Sequence, residues 1–206
     1  LLAMVVMFTV VIINTNTFGA SGTGTLGLFF LGFTMLQILA HFIGGATIVY
    51  LIPRKSNFQI ITLSYIWAIF INLIGVFLLK QFKLIPLDFV WELLILSLIS
   101  SFFFIHIFIM QGKEDIKRYN YYQVAQLLVL ISTYAITLLV FKKIKIKAEI
   151  AHYIHIFIIS YFIPLLISYR YILKHIGKVS YNGFWALLLE MGKLGYWVQL
   201  ANLSQL

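Results

Sequence analysis

The chain has 206 residues, of which 62% are hydrophobic and only 10% are charged, and its mean hydropathy is +1.01. A soluble domain would need a charged surface that this composition does not supply, so the chain is predicted to lie in a membrane. The absence of cysteine excludes disulfides, thiolate metal sites and cysteine nucleophiles. The net charge of +9 is attributed to basic residues in loops at the bilayer surface, where they attract anionic lipid headgroups. Nucleic acid is therefore not predicted as a partner.

Apolar runs of about 20 residues, the length that crosses the hydrocarbon core of a bilayer, recur along nearly all of the chain. We count about six such runs, which predicts an all-α integral membrane protein of about six transmembrane helices. In chain order the runs are Leu1–Ile13, Leu26–Ile52, Phe58–Leu79, Phe89–Met110, Tyr121–Phe141 and Ile150–Ile172, of which the first is too short to cross the bilayer by itself.

The segments between the runs are polar and determine the predicted topology. Residues 14–27 contain Asn, Thr and four glycines and predict a polar link between the first two spans. Pro53 ends the second span, residues 111–120 form a charged loop, and Pro164 predicts a kink in the sixth span. If the chain starts in the cytoplasm, the cytoplasmic links hold eight Lys and Arg residues against six outside, the direction of the positive-inside rule. The eight are Arg54, Lys55, Lys113, Lys117, Arg118, Arg170, Lys174 and Lys178, and the six are Lys80, Lys83, Lys142, Lys143, Lys145 and Lys147.

The pattern changes after Lys178, so residues 1–178 are predicted to form one six-helix transmembrane unit. In residues 179–206 apolar side chains recur at helical spacing with Glu190 and Lys193 between them, which predicts an amphipathic linker. A seventh helix is predicted to start near Trp197. Because the chain begins with Leu and stops inside this last predicted span, we expect further residues before Leu1 and after Leu206.

Two short motifs have ordinary structural explanations. Gly22, Gly24 and Gly27 match G-x-G-x-x-G, but no strand precedes them and no acidic residue follows at the dinucleotide-binding spacing. They predict a tight turn with close backbone approach between helices. His152 and His155 share a helix face, but the other histidines are isolated, so we predict no metal site and no cofactor.

One side of the fifth predicted span is polar, and a single Asn interrupts the third. Polar side chains at bilayer depth either bond to a neighbouring helix or line a hydrated cavity, and both alternatives remain open here. The candidate cavity-lining residues are Asn72, Gln123, Gln126, Thr133 and Thr137.

Several cations lie at the ends of the predicted spans. Such residues commonly extend to the headgroups and set the topology. Alternatively, cations that face one vestibule would bind a phosphate headgroup, for which Arg is well suited because it forms bidentate hydrogen bonds. The candidate substrate-binding residues are Arg54, Lys55, Lys117, Arg118 and Arg170.

Four stretches carry a resemblance to a known family. Phe18 to Gly27 resembles the glycine-rich turn after the first span of bacterial polysaccharide flippases, and Gly44 to Arg54, which ends in Tyr-Leu-Ile-Pro-Arg, resembles the end of their second span. Gln111-Gly112 followed by basic residues is similar to their fourth-to-fifth loop, and Val198 to Leu206 to the opening of their seventh span. These flippases belong to the multidrug/oligosaccharidyl-lipid/polysaccharide exporter superfamily.

The resemblance implies that this chain is the N-terminal lobe of a two-lobe, MATE-like transporter of 12 to 14 helices. It implies a non-enzymatic protein of the bacterial cytoplasmic (inner) membrane that moves undecaprenyl-pyrophosphate-linked oligosaccharide by alternating access. Its implied partners are that lipid, the membrane lipids and the polysaccharide polymerase machinery. The chain differs from the lipid II branch in that its first span is not rich in arginine.

Two other functions remain open. The first is a cation-coupled drug exporter of the same superfamily, which would favour an intramembrane acid that the first three predicted spans lack. The second is a membrane-embedded glycosyl or acyl transferase, which would need acids or histidines at the membrane boundary. Its best candidates are Asp88 with Glu92, and Glu149 with His152 and His155.

Overall fold

The structure is a computed structural model that describes residues 2–144, 149–177, 179 and 183–203; of these, the side chains of residues 2–10, 142, 144, 202 and 203 are not described. Every regular element in this part of the chain is helical. The helices are α1 (Leu2–Gly44), α2 (Ala46–Leu51), α3 (Asn57–Gln81), α4 (Val90–Gly112), α5 (Ile116–Ile144), α6 (Ile150–His175) and α7 (Phe184–Leu203), with a 3-10 turn at Leu87–Phe89. Several sequence predictions fall outside the described residues, namely those on Leu1, Lys145, Lys147, Lys178 and residues 204–206.

The prediction of an all-helical chain is confirmed, and its long apolar helices are compatible with a multi-pass membrane protein, although five rather than about six such helices are found among the described residues. In the described part of the chain, five helical segments are long and apolar enough to cross a membrane. They are Val11–Leu51, Asn57–Gln81, Leu87–Gly112, Ile116–Phe141 and Ile150–His175. Large apolar side chains on the outer faces, such as Phe70, Phe77 and Leu166, are exposed as expected for contact with acyl chains.

The predicted polar link at residues 14–27 is wrong in its extent. These residues are helical and belong to α1, and the only non-helical backbone angles there are at Gly19, with φ 66° and ψ −170°. Thr15 and Thr23 donate hydroxyl hydrogen bonds to the carbonyls four residues earlier, so polar side chains are satisfied inside the helix. Gly19 alone takes the left-handed backbone, which only glycine adopts without strain. It divides α1 into two arms that correspond to the first two predicted spans.

The predicted loop at residues 111–120 is also too long, because α5 begins at Ile116. Asp115 explains the early start. Its carboxylate accepts a hydrogen bond of 3.2 Å from the backbone N–H of Arg118, which satisfies one of the free donors in the first turn. The reversal therefore needs only Lys113, Glu114 and Asp115, and Glu114 takes a positive φ of 58° to make it.

Helix α4 forms the centre of the bundle. It packs against α1, α2, α3, α5 and α6, and two apolar clusters meet on it. Leu93, Leu96 and Phe103 belong to the first cluster, and Ile105 and Ile109 to the second. By contrast α5 lies at the edge of the bundle, where Leu128, Ile136 and Leu139 are exposed.

Helix α7 lies against the outside of α1, α2 and α3. Leu187 and Met191 are buried in the second apolar cluster, whereas Trp185 and Leu189 on the opposite face are exposed. The helix runs without interruption through the point near Trp197 where the sequence predicts a new span to start.

Candidate functional site

Five chain segments meet at one end of the bundle, which we call the basic end. Helices α2, α4 and α6 end there, and α3 and α5 begin there. The amide of Asn57 at the start of α3 donates a hydrogen bond of 2.9 Å to the carbonyl of His175 at the end of α6. An open cavity of about 510 Å³, here named the end groove, lies among these termini. Its lining residues are Ile52, Pro53, Asn57, Gly112, Lys113, Glu114, Asp115, Tyr171 and His175.

The shape of the end groove depends on close packing at the end of α4. A Cβ atom on Gly112 would lie 3.1 Å from both the Cα and the carbonyl oxygen of Val49. That separation is tighter than an ordinary van der Waals contact, so only glycine allows α4 to approach α2 this closely. The approach brings Lys113 and Glu114 beside Pro53.

The two predicted cations after α2 lie at the basic end but do not line the end groove. The guanidinium of Arg54 lies 3.9 Å from the centroid of the Tyr50 ring and donates a hydrogen bond to the Tyr50 carbonyl. The Lys55 ammonium forms an ion pair of 3.0 Å with Glu190 of α7. Both side chains are therefore engaged within the protein, and Lys55 helps to hold α7 in place.

The other three predicted cations also lie at the basic end. Arg118 forms an ion pair of 3.0 Å with Asp115, and its guanidinium lies 5.0 Å from the centroid of the Tyr171 ring. Lys117 and Arg170 are exposed, and within the described residues neither takes part in an ion pair. Lys117 and Arg170 are therefore the two predicted cations most available to an anionic ligand.

Sequence reasoning missed the residues that line the end groove itself. Lys113, Glu114 and Asp115 form the short reversal before α5, and Asn57 and His175 lie at two helix ends. The signal in the sequence was the run Lys-Glu-Asp, in which both charge signs occur between two apolar spans. Such a mixed-charge reversal can offer both donors and acceptors to a polar ligand.

The polar residues predicted to line a cavity occupy several different environments. Asn72 is fully buried and donates hydrogen bonds to Ser101 of α4 and to the Ala68 carbonyl. Gln126 is buried and donates to the Ser160 hydroxyl of α6 at 3.3 Å. Gln123 is half-buried, and Thr133 and Thr137 donate to carbonyls of their own helix. Thr137 also lines a hollow of about 20 Å³ between α1, α5 and α6.

Replacement of Asn72 by Ala is expected to have a small effect on stability. The Asn72 side chain joins α3 to α4, but its amide oxygen has no partner in the described part of the structure. Hydrogen bonds between membrane helices average about 0.6 kcal/mol, with a maximum of about 1.7 kcal/mol. Thermal unfolding of the variant in detergent should show that the free energy of unfolding falls by an amount of this size. A loss well above 3 kcal/mol would contradict the geometry, and Thr62→Ala, on the same helix, serves as a control.

A second large cavity lies at bilayer depth between the two arms of α1 and helix α6. This membrane-depth cavity has a volume of about 490 Å³. Five of its eleven lining residues are aromatic, and Asn14 and Thr23 contribute polar groups. Asn14 accepts a hydrogen bond of 3.0 Å from the Tyr134 hydroxyl. The other lining residues are Val11, Leu26, Gly27, Phe30, Phe33, Thr34, Tyr153, Phe157 and Tyr161.

None of the polar residues predicted from sequence lines the membrane-depth cavity. Asn14 and Thr23 fall in the stretch that the sequence predicts to be a link, where no cavity residue is expected. Tyr153, Phe157 and Tyr161 recur every four residues on α6, which was the available signal. A run of aromatic residues at this spacing is also typical of ordinary helix packing, so the pattern alone could not identify a cavity.

The residues proposed for a transferase lie at the opposite end of the bundle. Glu149 caps the start of α6, and its backbone N–H donates to the His152 imidazole at 3.3 Å. The His152 ring packs against Phe141, with 4.8 Å between centroids, and Asp88 is exposed. Within the described residues, no group of three or more His, Asp or Glu side chains is placed to hold a metal ion.

Comparison with protein-family models, with curated proteins and with solved structures finds no match for this chain. The case for a function therefore comes from the membrane-spanning bundle, its two cavities and the placement of its charges.

Proposed function

We propose that the protein moves an anionic, lipid-linked oligosaccharide across the bacterial cytoplasmic membrane as a flippase. The proposed substrate is an undecaprenyl-pyrophosphate-linked oligosaccharide, and the proposed mechanism is alternating access. The observation that carries the proposal is the presence, in one bundle, of a cavity at bilayer depth and a cationic end, with α6 contributing to both. The resemblance to polysaccharide flippases in the order and spacing of four stretches supports the same substrate class.

The chemistry of such a substrate fits the two regions. A sugar headgroup cannot enter hydrocarbon alone, because its hydroxyls and phosphates would lose water without compensation. Lys117 and Arg170 at the basic end can attract the pyrophosphate through charge-assisted hydrogen bonds. Asn14, Thr23 and Thr34 in the membrane-depth cavity can replace part of the lost hydration, while its aromatic walls can stack on sugar rings.

The proposal includes a two-lobe architecture in which this bundle is the first lobe. Rocking of one lobe against another around a site near the midplane is a general way to move a cavity from one side of a membrane to the other. The two arms of α1, which meet at Gly19, line this cavity together with α6. In a two-lobe transporter this face would be covered by the second lobe.

The proposal is tested with the purified full-length protein, including the proposed second lobe, in liposomes that contain a fluorescent prenyl-pyrophosphate-linked oligosaccharide. The fraction of labelled lipid that an external quencher reaches should rise from about half to nearly all, because the protein exchanges this lipid between the two leaflets. A fluorescent phosphatidylcholine is the matched control and should stay half protected. Protection of the oligosaccharide lipid equal to that in protein-free vesicles would overturn the proposal. Ethidium transport, or a new sugar-transfer product, would instead support one of the two alternative functions.

A further inference from the structure

A buried histidine joins three helices inside the membrane-spanning bundle. His106 of α4 has no solvent exposure. One ring nitrogen, Nδ1, lies 2.7 Å from the Ser168 hydroxyl of α6, and the other, Nε2, forms a hydrogen bond with the Tyr65 hydroxyl of α3. Among the buried residues of the described chain, His106 is the only one whose side chain ordinarily gains or loses a proton between pH 5 and 8.

The hydrogen bonds around His106 are all satisfied by its neutral form. The Ser168 hydroxyl donates its single hydrogen to the Leu165 carbonyl at 2.9 Å, so Ser168 accepts from His106 Nδ1–H. His106 Nε2 then accepts a hydrogen bond from the Tyr65 hydroxyl. All three polar groups are satisfied when the ring carries one proton, so this arrangement of α3, α4 and α6 favours the uncharged ring.

A second proton on His106 would have no compensating charge. Tyr65 from α3 and Tyr169 from α6 are the titratable side chains that face it, the Tyr169 ring at 6.0 Å between centroids. His41 of α1 packs instead on Phe104 and Phe108 of α4.

The remaining neighbours of α4 also bring no charge to the ring. Tyr119 and Tyr122 of α5 pack on the adjoining apolar clusters, and Tyr50 of α2 is exposed. Within the described residues, the hydrogen bonds and ion pairs of the structure join no Asp, Glu, Lys or Arg side chain to the His106 ring. A buried charge without a partner is costly, so the charged ring would need water.

We propose that His106 is a proton-binding site, and that its protonation favours a second arrangement in which α6 has moved away from α3 and α4. Pro164 lies one turn before Ser168 and cannot donate the helical hydrogen bond to the Ser160 carbonyl, so α6 can bend there. His106 binds the proton more tightly in the arrangement in which its ring reaches water, so lower pH shifts the population toward that arrangement. The site does not depend on the identity of the transported lipid, and it supplies a way to couple a proton gradient to helix movement.

The test measures the separation of α4 and α6 by spin labels in the protein reconstituted in liposomes. The chain has no cysteine, so Lys113→Cys and Lys174→Cys give two unique labelling positions at the basic end. We expect the population with the longer distance to rise from pH 8 to pH 5 by up to about tenfold per pH unit, the limit for one proton. His106→Gln, which keeps hydrogen-bonding groups but cannot take up a proton, should abolish the dependence. His41→Gln is the matched control and should retain it.

Three results would overturn the proposal. They are distances that do not change with pH, a pH dependence that survives His106→Gln, and a pH dependence that is lost in His41→Gln. If His106 had only a structural role, its replacement would change the free energy of unfolding, but the distance between α4 and α6 in the native protein would not depend on pH. If His106→Gln does not reconstitute, Ser168→Ala tests the same link from α6. It should remove the pH dependence of the distance, and a dependence of native size would reject the coupling.

Discussion

Gly195→Ala is expected to loosen α7 from the bundle. Gly195 is buried where α7 crosses α1, and a Cβ atom there would overlap the backbone carbonyl oxygen of Phe42. Because the obstacle is backbone rather than a flexible side chain, α7 must shift outward as a unit. Overpacking of this kind costs about 1–3 kcal/mol, and the shift also strains the Lys55–Glu190 ion pair and the burial of Met191.

Two measurements in detergent check this expectation. The melting temperature should fall by about 5 °C, since each 1 kcal/mol corresponds to roughly 2–4 °C for a chain of this size. Trypsin cleavage after the exposed Lys193 should become faster as α7 separates. Gly192→Ala is the matched control on the same helix, because nothing lies within 4 Å of the added Cβ. Equal stability of the two variants would show that α7 does not pack on α1 as described.

Removal of two cations at the basic end is expected to slow transport strongly. In the double variant Lys117→Gln and Arg170→Gln, two exposed charges without ion-pair partners in the described structure are lost. Each such cation near an anionic headgroup contributes about 1 kcal/mol, so the initial rate at low substrate should fall about tenfold or more. Arg118→Gln should act less directly, because that guanidinium already binds Asp115.

The matched control is the double variant Lys80→Gln and Lys143→Gln, which removes the same number of exposed charges from the opposite end of the bundle. It should keep the native rate of flipping in liposomes. Raising the ionic strength should slow the native protein and leave the Lys117 and Arg170 double variant almost unchanged, because salt screens exposed charges. Equal loss in the two double variants would mean that total charge, rather than the basic end, controls transport.

The long helices could be predicted from the sequence because lipid demands continuous apolar runs with few breaks. The ends of α3, α4 and α6 fall within a few residues of the predicted spans. The first link could not be placed, because Asn, Thr and Gly indicate a turn in water, whereas threonine hydroxyls can bond to their own helix. Only Gly19 among those residues breaks α1, and composition alone does not distinguish it from Gly22 or Gly24.

The candidate site was predictable in its location more than in its contacts. Topology alone brings the ends of α2, α4 and α6 to one side, so the five cations were expected at one face. Whether Lys55 meets Glu190, or Arg118 meets Asp115, depends on packing that spacing does not encode. The link from Tyr65 through His106 to Ser168 joins residues 41 and 62 positions apart, and no local pattern in the sequence indicates it.

The most direct test of the whole account is cysteine labelling from each side of the membrane in cells. Single cysteines replace exposed residues at the basic end, at Arg54, Lys117 and Lys174, and at the opposite end, at Lys83, Asp88 and Lys143. Because the chain has no native cysteine, each label reports one position. The account predicts that the first set is labelled only from the cytoplasm and the second set only from outside. Labelling of both sets from the same side would contradict a bundle that spans the membrane.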